Sequence, residues 1–91
     1  MKDTSDVLNY LKNYSYYIVR LKGGYFTELT YLSIKRDEII LNHDDKNIKR
    51  CKVICTNPDI DLGEIKNFII ANNSCTITDG VMTIELIGQL L

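Results

Sequence analysis

What this chain of 91 residues lacks narrows the reading first. It has no tryptophan, one proline (Pro58), one alanine (Ala71) and one histidine (His43). No apolar run approaches the roughly 18 residues that a membrane-spanning helix needs; the longest are residues 16–19 and 68–71. The opening MKDTSD carries no apolar segment of a secretion signal, and Lys2 stands where N-myristoylation needs glycine. The expected location is therefore the cytoplasm, with no membrane partner. There is no surplus of one charge: 11 Lys+Arg against 12 Asp+Glu leave a net charge of −1. That removes the long-range electrostatic argument for duplex nucleic acid or a lipid surface. Three cysteines, an odd number, fit a reducing compartment better than a disulfide framework. Phosphate-cradling glycine loops, HExxH and nucleophile-elbow motifs are all missing.

What is present suffices for one folded domain. An apolar share of 45% with 25% charged residues is that of a globular chain, and 13 Ile, 10 Leu and 4 Val supply a core. Val7, Leu8, Leu11 and Tyr14 share a helical face, which predicts a first helix over residues 5–14. Two aromatic and β-branched runs around Gly23-Gly24 predict a hairpin. A three-residue loop pairs Val19 with Leu29, Tyr17 with Tyr31 and Arg20 with Glu28. A turn at residues 35–38 then pairs Ile34 with Ile39 and makes a three-stranded meander. Residues 48–55 alternate, with Cys51, Val53 and Cys55 on one side and Arg50 and Lys52 on the other. Asp61 and Glu64, with Ile60 and Ile65 flanking them, read as a capping box and staple for a second helix, which buries Leu62, Ile65, Phe68 and Ile69. Asp79-Gly80 predicts a two-residue turn in a last hairpin that sorts Cys75, Ile77, Met82, Ile84 and Leu86 onto one face. The expected fold is a single α+β domain over residues 1–91, an antiparallel sheet with two helices in the order α-β-β-β-β-α-β-β.

Three sets of residues bear on chemistry. His43, Cys51, Cys55 and Cys75 are four soft ligands, the number that a structural zinc takes. Their spacing opposes it, because Cys51 and Cys55 lie about 13 Å apart on one strand at roughly 3.3 Å per residue. The thiols read instead as small buried hydrophobes. His43-Asp44-Asp45 puts an imidazole beside carboxylates in sequence, but adjacent loop side chains diverge, and no catalytic residue, cofactor or metal is assigned. Lys46, Lys49, Arg50 and Lys52, with Arg20, Lys22, Lys35 and Arg36 on neighbouring strands, suggest a basic sheet face on which Tyr16, Tyr25 and Tyr31 could stack single-stranded bases. Glu28, Asp44 and Asp45 blunt that field.

Tyrosine is the residue type in excess, six copies, and it favours interfaces because it brings a large rigid area with a polar tip. Tyr16 and Tyr17 are adjacent, so one of them faces away from the core. The partner-binding set is therefore Tyr16, Tyr25, Tyr31, Arg20, Lys49, Arg50 and Lys52, and the expected function is a small non-enzymatic protein-binding module. A single-strand nucleic-acid binder and a homodimer or larger homo-oligomer, joined by edge strands or by residues 84–91, are the alternatives.

Residues 6–42, DVLNYLKNYSYYIVRLKGGYFTELTYLSIKRDEIILN, read as a short helix followed by a meander. This layout resembles some small phage anti-CRISPR proteins, which are soluble and cytoplasmic. The resemblance implies a phage- or mobile-element-encoded inhibitor that occupies a host defence protein. Members that mimic DNA carry a large acidic surplus, and this chain does not.

Overall fold

The computed structural model describes residues 4–23, 26–44, 48–54, 56 and 59–89. Strands dominate them. The helix α1 (Thr4–Lys12) leads into β1 (Tyr16–Gly23) and β2 (Phe26–Lys35), a 3-10 turn (Arg36–Glu38), β3 (Ile39–His43), β4 (Ile48–Val53), β5 (Ile60–Asp61), β6 (Asn67–Ile70), β7 (Ser74–Thr78) and β8 (Met82–Gln89). All strand pairing is antiparallel. One sheet has five strands in the order β2-β1-β8-β7-β6, and the other has three in the order β3-β4-β5. The expected α+β domain with two helices is thus corrected to an antiparallel two-sheet fold carrying one short helix among the described residues.

The second helix fails because its backbone groups find partners elsewhere. Leu62 N–H donates to Cys51 O (2.9 Å) and Ile65 N–H to Lys49 O (3.1 Å), so the segment after β5 continues along β4. Residues 67–70 then pair with β7, and Ala71 N–H donates to Ser74 O (2.9 Å) around Asn72-Asn73. Gly63 and the β-branched Ile69-Ile70 weaken the local case for a helix, and strand pairing decides. The meander is also broken. After the 3-10 turn, β3 leaves the first sheet and pairs with β4, so Ile39 meets Val53 and not Ile34. The last hairpin's register moves by two residues, and so does the first over residues 19–21, with a bulge on either side that puts Tyr17 opposite Ile34 and Gly23 opposite Phe26. Val19 lies opposite Tyr31 and Leu21 opposite Leu29, while Ile77 lies opposite Ile84 and Cys75 opposite Leu86. In the last hairpin the turn is Gly80-Val81, closed by Asp79 N–H on Met82 O (3.2 Å), with Gly80 in the left-handed region at φ +94°. A shift of two keeps side chains on their faces, so the expected sorting survives in the last hairpin and over residues 19–21, whereas the bulge at Ser33, in the left-handed region at φ +58°, turns Ile34 inward opposite Tyr17.

Each strand of the five-stranded sheet has an inner and an outer face. Tyr17, Val19 and Leu21 of β1, Ile84 and Leu86 of β8, Cys75 and Ile77 of β7 and Phe68 of β6 are buried inside. From α1 and the three-stranded sheet, Val7, Tyr10, Leu11, Ile39, Cys51, Val53 and Ile60 join them in one core. Burying a side chain of this size contributes about 1.5–3 kcal/mol.

Hydrogen bonds latch α1. Tyr17 Oη donates to Leu11 O (2.6 Å). Tyr10 Oη lies 2.6 Å from Asn73 O and 2.9 Å from Leu86 O, and accepts from Gly88 N–H (3.0 Å). The Tyr10, Tyr14 and Tyr17 rings cluster with centroids 5.6–6.0 Å apart. Gly88 lets the Tyr14 ring lie directly on the sheet, since a Cβ there would come within 2.4 Å of it.

Candidate functional site

The opposite face of the five-stranded sheet is open. Tyr16, Ile18, Arg20 and Lys22 project from β1 by the alternation that buries Tyr17, Val19 and Leu21. Glu85 and Ile87 project from β8, Thr76 from β7 and Ile69 from β6, and none of these residues is buried. Cross-strand register assembles them into rows. Ile69, Thr76, Glu85, Arg20 and Thr30 form one row, and Ser74, Ile87 and Ile18 form the next. Leu32 on β2 is 69% exposed and Ile69 on β6 is 55% exposed.

The charges on this face neutralise one another. Arg20 Nε donates to Glu28 Oε1 (2.7 Å), with a second guanidinium nitrogen on the same carboxylate, and Arg20 Nη1 reaches Glu85 Oε1 at 3.3 Å. The hydrogen bonds from Arg20 hold the Glu28 carboxyl below its usual range, although burial acts the other way and Lys22 helps. The expected Arg20–Glu28 pair thus forms, but diagonally, because Thr30 takes the position directly opposite Arg20. With the cation held between two carboxylates, the centre of the face is a weakly charged polar stripe flanked by isoleucines and threonines.

The structure divides the residues singled out in the sequence. Tyr16 and Arg20 lie on the open face. Tyr31 lies on the inner side, packed against the core at a small notch with Leu21, Leu29 and Met82. Lys49, Arg50 and Lys52 belong to β4 in the other sheet, whose outer face points away from the shared core. There Lys49 pairs with Asp44 (3.3 Å) and Arg50 with Asp61 (3.1 Å), while Lys52 lies across from Asp61 in the register. The basic residues and the tyrosines are therefore not gathered into one patch. Tyr25, Lys46, Asp45 and Cys55 lie outside the described residues. Sequence reasoning passed over Ile18, placed Ile69 in the buried stripe of the expected second helix although it is 55% exposed, and offered Ile87 only as part of residues 84–91 that could join a second copy. Ile18 was accessible to it, since it alternates with Tyr16 and Arg20.

Cys51 and Cys75 are fully buried free thiols. Burial pushes both up to about 12, and for Cys51 the nearby Cys75 adds to the effect. Such thiols stay protonated at neutral pH and are poor nucleophiles and ligands. His43 is exposed on β3, with Nδ1 3.2 Å from Asp44 O. Among the described residues no group of three or more His, Cys, Asp or Glu is placed to share a metal ion.

Asp79 is a carboxylate with a structural task. Its Oδ1 accepts from Val81 N–H (2.9 Å) and Met82 N–H (2.7 Å), and Oδ2 accepts from Gly63 N–H (3.1 Å). Burial acts to raise this carboxyl, but the backbone donors of Met82, Val81 and Gly63 together outweigh it and hold the group below its usual range. The last hairpin is thereby tied to the segment that follows β5.

No protein-family model matches the chain, and comparison with curated proteins and with solved structures gives no match either. Among the described residues no helix is long and apolar enough to cross a membrane. The class that the geometry defines, over the described residues, is an antiparallel two-sheet domain with a latched helix and a five-stranded sheet whose outer face is not buried.

Proposed function

We propose that this chain is a small non-enzymatic protein-binding module that docks through the open face of its five-stranded sheet. The observation that carries this reading is the face itself. Five paired strands form a wide, nearly neutral platform of isoleucine, threonine and Tyr16, with Arg20 held between Glu28 and Glu85. Protein interfaces favour such surfaces, with few free charges at the centre and apolar or aromatic side chains beside polar ones. The narrower reading, an inhibitor that occupies a host defence protein, rests on the resemblance of residues 6–42 to small anti-CRISPR proteins. In the cytoplasm of a producing cell, affinity capture with the intact chain recovers a partner under this reading. Substitution of Ile87 by Arg places an unpaired charge in the middle of the platform and abolishes capture, while circular dichroism stays unchanged. Capture unaffected by that substitution would overturn the assignment of the face.

A further inference from the structure

A second surface lies at the edge of the same sheet and has a different character. The β6 strand is terminal, with β7 on one side only. Because Ala71 N–H bonds to Ser74 O, alternate residues of β6 turn their backbone toward β7, and Ile70 turns its N–H and C=O away from it. The helix α1 stands alongside and forms a groove of about 500 Å³ with this edge. The helix wall is polar: Asp6, Asn9 and Asn13 follow one another at helical spacing, distinct from the buried Val7, Tyr10 and Leu11. Phe68, Ile70 and Tyr10 supply the apolar part. Asp6 is the charged side chain among the described lining residues, and it makes no ion pair with another described residue.

A groove between a sheet edge and a helix suits an extended chain. Its backbone can bond to the edge, and alternate side chains enter the groove. We propose that this groove takes an extended peptide segment of a partner protein as a sixth strand, with a lysine or arginine side chain at the Asp6 end. The edge selects the extended backbone, the Phe68 and Ile70 side select an apolar residue, and the carboxylate selects the cation. This inference rests on the protein-binding reading but uses a different surface.

The test begins with a displayed library of random octapeptides selected on the folded chain. Enriched peptides and their scrambled versions are then titrated into isotope-labelled protein. The expected peptides carry alternating apolar residues and one Lys or Arg, and they shift the amide signals of residues 69–73 and of Asn9 and Asn13. Asn9→Arg fills the groove from an exposed helix position and weakens binding at least about tenfold, the factor that about 1.4 kcal/mol brings. Ile70→Pro removes the outward N–H where an edge strand tolerates it, with a similar loss. Asp6→Asn weakens binding about threefold at low salt, in keeping with an exposed ion pair. No enriched peptide, or affinity indifferent to Asn9→Arg, would overturn the groove assignment. Peptides whose shifts fall on Ile18, Thr76 and Ile87 would also overturn it while supporting the open face. Loss of captured partner in Ile87→Arg with no peptide enriched separates the two in the same way.

Discussion

The two faces of the five-stranded sheet are built by the same strands and do opposite things. Along β8, Ile84 and Leu86 are fully buried while Glu85 and Ile87 remain accessible. Along β1, Tyr17 and Val19 are buried and Ile18 and Arg20 are not. The inner face is closed by a helix and a second sheet, and the phenols of Tyr10 and Tyr17 there are tied by hydrogen bonds. The outer face carries Ile18 and Ile87 half-buried and Ile69 exposed. Neighbouring isoleucines on one strand thus differ in burial, and this contrast can be broken experimentally.

The largest effect is expected inside. Ile84→Ala leaves a cavity in the core and costs about 2–5 kcal/mol, whereas Ile87→Ala, three residues on, changes stability by no more than about 0.5 kcal/mol. Denaturant unfolding of both variants checks the difference, and equal losses would remove the distinction between the faces. Gly88→Ala forces the Tyr14 ring off the sheet and is expected to cost about 1–3 kcal/mol, read as a lower melting temperature with loss of near-ultraviolet tyrosine signal.

Tyr17→Phe leaves Leu11 O without its buried donor and costs about 1–2 kcal/mol, more than the same change at the half-exposed Tyr16. Unfolding of the pair ranks the latch against the platform. The pH dependence sharpens the contrast from both ends. Burial raises the Tyr10 phenol from 10.0 to about 12 and the Cys51 and Cys75 thiols from 9.0 to about 12. These groups stabilise the fold fully below their unfolded values, and that stability is lost as pH rises from about 9 toward 12. Asp79 acts in the opposite sense. Its carboxyl is held low in the folded chain, so its contribution is present above the unfolded carboxylate range and is lost as pH falls through the folded value. Asp79→Asn should flatten the acid limb of a melting-temperature profile and leave the alkaline limb unchanged. The smallest effect is expected from Arg20→Ala, since its ion pairs are exposed; a sharp loss of stability there would make the outer face structural.

Particular residues show how far the sequence could be read. The helix α1 and its Val7–Leu11 face follow from local spacing. So does the inward placement of Cys75, Ile77, Ile84 and Leu86. Asp61 misled, because its spacing to Glu64 matches a capping box, whereas in the fold it pairs with Arg50 and its neighbours bond to β4. The candidate site was half legible. Tyr16 and Arg20 were identified, but the separation of Lys49, Arg50 and Lys52 onto another sheet depends on where β3 goes, and three residues of 3-10 turn carry no signal for that.

By itself, the order of residues determined which side chains share a face in the last hairpin and along β1, because alternation has a period of two and survives a register slip of two. Only the tertiary structure decided which strands pair, whether residues 61–73 coil or extend, and which face stays uncovered. Those outcomes turn on hydrogen bonds between segments far apart in the chain, such as Gly63 N–H to the Asp79 carboxylate and Gly88 N–H to Tyr10 Oη, which no local pattern encodes.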